Sequence, residues 1–83
     1  MTAHPNRGWR GRWVVSGDEA RHGPSGLVVR FAPAIDADAL DGEAVNGHEV
    51  ARALAERHGQ GEVARMLARL MREAGDVWRE RRQ

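Results

Sequence analysis

Glu62-Val63-Ala64-Arg65-Met66-Leu67-Ala68-Arg69-Leu70-Met71-Arg72-Glu73-Ala74-Gly75-Asp76-Val77-Trp78 decides half of the fold. Val63, Leu67, Leu70, Ala74 and Val77 recur at spacings of 4, 3, 4 and 3, which places them on one face of a helix. Met66, Met71 and Trp78 widen that stripe. A helix is predicted from Glu62 to about Arg81, with Leu67 and Leu70 at its densest point. Gly75 inside it costs about 1 kcal/mol relative to alanine and marks a kink or a close approach. The opposite face carries Arg65, Arg69, Arg72, Asp76 and Arg79, flanked by Glu62, Glu73 and Glu80. Opposite charges three and four residues apart read as solvated ion pairs rather than as a phosphate-tracking stripe.

Working towards the N-terminus, Gly59 and Gly61 separate this helix from another. Gly59 suits the left-handed position just past a helix end. Asn46-Gly47-His48-Glu49 has the spacing of a capping box, so a first helix is predicted from Gly47 to His58, burying Val50, Ala53, Leu54 and the stem of Arg57. Residues 34–45 are ambiguous. Asp36 could cap a helical turn over Ala37 to Leu40 that Asp41-Gly42 ends; a strand fits less well, because alanine and aspartate are poor strand formers.

The N-terminal half reads as extended chain. Residues 1–8 show no periodicity and are expected to form a mobile arm. Trp9 to Ser16 alternates, with Trp9, Gly11, Trp13 and Val15 on one face and Arg10, Arg12, Val14 and Ser16 on the other. Gly17 to Ser25 is rich in breakers and reads as the loop of a hairpin. Gly26 to Ala32 forms the second strand, with Leu27, Val29 and Phe31 inward and Val28 and Arg30 outward, and Pro33 ends it. The expected architecture is a single α+β domain over residues 9–83: an N-terminal β-hairpin packed on two C-terminal α-helices, in the order ββαα.

Eighty-three residues bury only roughly 60% of the surface of the unfolded chain, so stability is modest. Cysteine is absent, which excludes disulfides and thiolate metal sites. A second subunit or a partner is left as external support, and the open edges of a two-stranded sheet point to a homodimer. No stretch is long and apolar enough to span a membrane, and the first twelve residues lack the apolar run of a signal peptide; a cytoplasmic protein is expected.

All thirteen basic residues are arginine, a bias that a GC-rich coding sequence produces without selection for contacts. The net charge of +1 hides an uneven distribution: +3 over residues 1–30, −5 over 31–50 and +3 over 51–83. A dedicated nucleic-acid binder carries a larger excess.

Tests for chemistry mostly fail. His48-Glu49 begins a zinc-protease signature, but Arg52 stands where the second histidine belongs. Asp36, Asp38 and Asp41 do not fit a calcium loop, since Leu40 and Gly47 fall at ligand positions. A helix-turn-helix around Gly59 lacks apolar flanks. His4, His22, His48 and His58 are scattered, and neither Ser16 nor Ser25 has an identifiable base. No catalytic residue, metal or cofactor is therefore assigned.

What stands out is Arg7-Gly8-Trp9-Arg10-Gly11-Arg12-Trp13, which concentrates guanidinium and indole groups. Trp13 shares a face with Val15 and reads as core. Arg7, Trp9, Arg10, Arg12 and Arg30 form the candidate binding face, the last three on one side of a ribbon. The expectation is a small non-catalytic interaction protein, an accessory subunit or modulator of a larger protein or nucleoprotein machine. Small inhibitors encoded by phages and mobile elements, anti-CRISPR proteins among them, belong to that class. The alternative is an RNA or single-stranded DNA binder using the ribbon.

Overall fold

The computed structural model describes residues 8–31 and 42–82. After a 3₁₀ turn at Arg10–Arg12 come four strands, β1 (Trp13–Ser16), β2 (Glu19–His22), β3 (Val28–Phe31) and β4 (Gly42–Ala44), then α1 (Gly47–His58) and α2 (Gln60–Arg82). The α+β class and the strands-then-helices order hold, with a four-stranded antiparallel sheet in strand order β1-β2-β3-β4 in place of a hairpin. The expected arm lies outside the described residues except for Gly8, as does the expected helical turn over Ala37 to Leu40.

The extra strands come from two tight features. Gly17-Asp18 is a two-residue hairpin loop with Gly17 at φ +60°, and Ser16 pairs with Glu19 across it. A glycine at positive φ in the first loop position matches the twist of the flanking strands. β2 therefore begins inside the segment expected to be loop. Gly42, expected to end a helical turn, instead opens β4 opposite Phe31. A Cβ on Gly42 would stand 2.6 Å from Phe31 Cε1 and 2.9 Å from Val29 Cγ1, so only glycine fits under that ring.

Alternation along the strands sends Trp13, Ala20, Val29 and Phe31 to one face, where they meet Val50 and Leu54 of α1 and Leu70, Ala74, Val77 and Trp78 of α2. Phe31 and Trp78 stack with centroids 5.0 Å apart and planes 12° from parallel. Trp13 is buried as expected and donates its Nε1–H to Glu73 Oε1 at 3.0 Å, tying β1 to α2. Leu67 is only half-buried, and Ala53 and Arg57 lie on the exposed side of α1.

α1 has its predicted bounds but not its predicted cap. The Asn46 side chain makes no hydrogen bond to the helix. Its Oδ1 instead accepts from Val28 N at 2.9 Å and its Nδ2 donates to Gly26 O at 2.8 Å, so the amide splices the entry of α1 onto the start of β3. Gly59 has φ +92° and donates to Ala55 O, closing α1 as expected and turning the chain into α2. The exposed face of α2 carries the expected short-range pairs, Arg65–Glu62, Arg69–Glu73 and Arg79–Asp76.

Candidate functional site

The Arg/Trp segment is not a strand. Arg12 N donates to Trp9 O at 3.1 Å, which winds Arg10–Arg12 into a 3₁₀ turn and breaks the alternation that would align Arg10, Arg12 and Arg30. Each expected contact residue goes its own way. Arg7 lies outside the described residues. Trp9 is half-buried against the core, and the Arg10 guanidinium sits over its ring, 4.4 Å from the centroid. Arg10 is also held by Glu80: its Nε donates at 3.1 and 3.0 Å to the two carboxylate oxygens, and that hydrogen bonding pushes the guanidinium pKa up. Arg30 projects from the uncovered face of the sheet, where it lies between Glu19 of β2 and Glu43 of β4 and bonds Glu19 at 3.0 Å. The hydrogen bond to Glu19 raises its pKa.

Arg12 is placed differently. Its carbonyl accepts Gly23 N–H at 2.8 Å, which docks the 3₁₀ turn against the β2–β3 loop. Its side chain lines a 250 Å³ cleft between that loop and the two helices. The floor is apolar: Leu54 of α1 with Met66 and Leu70 of α2. Arg57, at the end of α1, lines it as well, together with Arg69 and Glu73 of α2. Glu73 is already engaged on both oxygens, by Trp13 Nε1 at Oε1 and by Arg69 Nε at Oε2, 3.4 Å away. Arg12 and Arg57 make no ion pair or side-chain hydrogen bond among the described residues.

The loop wall of the cleft is fixed by a histidine. His22 is buried, alternating inward with Ala20, and its ring lies 4.8 Å from that of Trp13. Ser25 N–H donates to His22 Nδ1 at 3.3 Å, so Nδ1 carries a lone pair and the ring proton sits on Nε2. The Ser25 hydroxyl lies 2.7 Å from the same Nδ1 and accepts Leu27 N–H at 3.2 Å. Burial lowers the His22 pKa from its ordinary 6.5; the Glu73 carboxylate opposes that shift and the Arg12 cation adds to it. Ser25 thus has a basic neighbour that sequence spacing did not reveal. Its hydroxyl and the imidazole brace the turn between β2 and β3, bonding to backbone N–H groups within six residues of each other.

Arg57 and His22 were not among the expected contact residues. The signal for His22 was the Gly17-Asp18 turn, since a strand starting at Glu19 puts Ala20 and His22 on the buried face. Nothing local marked Arg57, which tertiary packing brings to the same cleft as Arg12. Among the described residues no group of three or more His, Asp or Glu side chains is placed to hold a metal ion, and no helix is long and apolar enough to cross a membrane. No protein-family model, curated protein or solved structure matches the chain.

Proposed function

We propose that this chain is a small, cytoplasmic, non-catalytic interaction protein, an accessory subunit or modulator of a larger protein or nucleoprotein assembly, and that it engages its partner through the Arg12–Arg57 cleft. The observation that carries this reading is the contrast between arginines. Arg10, Arg30, Arg65 and Arg69 are neutralised by Glu80, Glu19, Glu62 and Glu73. Arg12, Arg21, Arg52, Arg57, Arg72 and Arg81 have no such partner among the described residues, and of these Arg12 and Arg57 line the cleft with Leu54, Met66 and Leu70. Two guanidinium groups beside the half-buried Met66, with the buried Leu54 and Leu70 beneath, match the makeup of an interface hot spot.

The alternative, single-stranded nucleic acid held on an Arg/Trp ribbon, draws less support. It needs exposed aromatic faces in line with cations. Trp9 is half-buried with Arg10 over its ring, and Trp13 is core. Self-association belongs to the proposal too: β1 is an edge strand with no partner on its outer side among the described residues, and its Val14, on the face opposite to Trp13, is 63% exposed. Light scattering over a concentration series tests that part, and a strictly monomeric chain removes it.

The interaction reading is tested by affinity recovery from the native host, with and without nuclease. Two double reversals are compared, Arg12→Glu with Arg57→Glu and Arg10→Glu with Arg30→Glu. The first pair is expected to lose a nuclease-resistant protein partner while melting within about 0.5 kcal/mol of the parent, as surface substitutions do. The second pair is expected to retain it. Partner recovery indifferent to Arg12 and Arg57 overturns the reading.

A further inference from the structure

We infer that the cleft takes an extended acidic segment of a partner protein in which carboxylates flank an aliphatic anchor. This rests on the proposed role of the cleft as the contact face and adds the chemistry of its occupant.

The first argument is charge. Arg65 is paired with Glu62 and Arg69 with Glu73, so the walls are balanced except for Arg12 and Arg57. These two come from different elements, the 3₁₀ turn and the last turn of α1, and both line the 250 Å³ cleft. The carboxylates of Glu62 and Glu73 are engaged within the protein and do not compete for them. An arginine offers a planar pair of donors to each incoming carboxylate.

Shape supplies the second argument. The cleft does not end at a single side chain. His58, Met66 and Arg69 also line an adjoining depression, which continues past Glu62 and Arg65 along the junction of α1 and α2. An occupant that fills both is a stretch of chain rather than a compact anion. Leu54, Met66 and Leu70 line the same cleft as Arg12 and Arg57, so the bound stretch combines an apolar residue with its carboxylates. Met66 is half-buried and can adapt to the shape of the anchor. A nucleic-acid strand finds a poorer platform there: no Trp or Phe lines the cleft, and of its two imidazoles His22 is buried against Trp13, which leaves His58 to stack a base.

The test is selection of random heptapeptides displayed on phage against the intact chain, followed by fluorescence anisotropy with the selected peptide. Enriched sequences are expected to place Asp or Glu on both sides of Leu, Met or Ile. The selected peptide should lose about tenfold or more in affinity when its acids become amides, since charge-assisted hydrogen bonds are lost. A similar loss is expected against Arg12→Gln with Arg57→Gln, a pair that removes the guanidinium charge but keeps a polar side chain and whose melting curve confirms that it folds. Selection without acidic enrichment, an unchanged affinity in the Gln pair, or equal competition by oligothymidylate overturns the inference. Its failure is distinct from that of the broader reading. Host-partner recovery that depends on Arg12 and Arg57, together with selection that shows no acidic preference, rejects the acidic occupant and keeps the interface.

Discussion

Trp78 of α2 lies flat against Phe31 of β3, and Gly42 on the neighbouring strand has no side chain to obstruct that ring. Gly42→Ala forces Cβ to within 2.6 Å of Phe31 Cε1. The ring or the strand must shift, at about 1–3 kcal/mol. Gly61→Ala near the start of α2 meets no atom within 4 Å and is expected to raise stability by up to about 1 kcal/mol. Urea melts of the two variants should move in opposite directions; parallel behaviour would mean that Phe31 does not pack over Gly42.

The apolar stripe of α2 is graded. Leu70 is buried and Leu67 only half-buried. Leu70→Ala is expected to cost about 2–5 kcal/mol, enough to unfold much of so small a domain. Leu67→Ala should cost clearly less, because part of its surface already meets water. Thermal melts of both decide it, and equal losses would place Leu67 in the interior.

Asn46 holds two backbone groups of another element. Asn46→Ala leaves Val28 N–H and Gly26 C=O without that partner, at about 1–3 kcal/mol. Asn46→Asp keeps an acceptor for Val28 but loses the donor to Gly26. A capping aspartate at the start of a helix would stabilise α1, so a loss of stability in Asn46→Asp separates the splice from a cap.

Acid should weaken the fold through His22. Its folded pKa lies below the ordinary 6.5, so on acidification the unfolded chain takes up a proton before the folded one does. Stability is level with respect to this group above 6.5 and falls as pH drops from there towards the depressed folded value. Protonation at Nδ1 also sets an N–H against Ser25 N–H. His22→Asn, which offers an acceptor to Ser25 and does not titrate, should remove that part of the slope. Urea midpoints from about pH 8 to about pH 5 measure it.

The helices were legible because their periodicity is local. Gly59 and the 4-3-4-3 spacing of α2 give elements that need no distant contact to be recognised. The sheet was half legible. β2 is Glu19-Ala20-Arg21-His22, whose inward residues are one methyl group and an imidazole, so nothing apolar announces it; burial beneath Trp13 makes it a strand. β4 is Gly-Glu-Ala, three poor strand formers held by register with β3. Arg10–Arg12 alternates like a strand but answers to Glu80, seventy residues away. The candidate cleft was the least legible part. Arg12 was singled out, yet its sharing of one cleft with Arg57 depends on how the 3₁₀ turn docks on the β2–β3 loop.

The Asn46 splice also bears on the chemical ageing of the protein. Asn-Gly is the dipeptide in which the next backbone nitrogen most readily attacks the side-chain amide carbon and expels ammonia, closing a succinimide that water opens to aspartate or isoaspartate. In the folded chain the Asn46 amide is held at both its oxygen and its nitrogen, and Gly47 is already the first residue of α1. Attack must await an opening that frees the amide and unwinds that turn. Each such event that ends in reaction removes Nδ2, the donor to Gly26 O, as ammonia and leaves a carboxylate or an isopeptide linkage in its place, and the splice cannot re-form as it was. The rate of deamidation at Asn46 therefore reports the fraction of time for which the junction between β3 and α1 stands open.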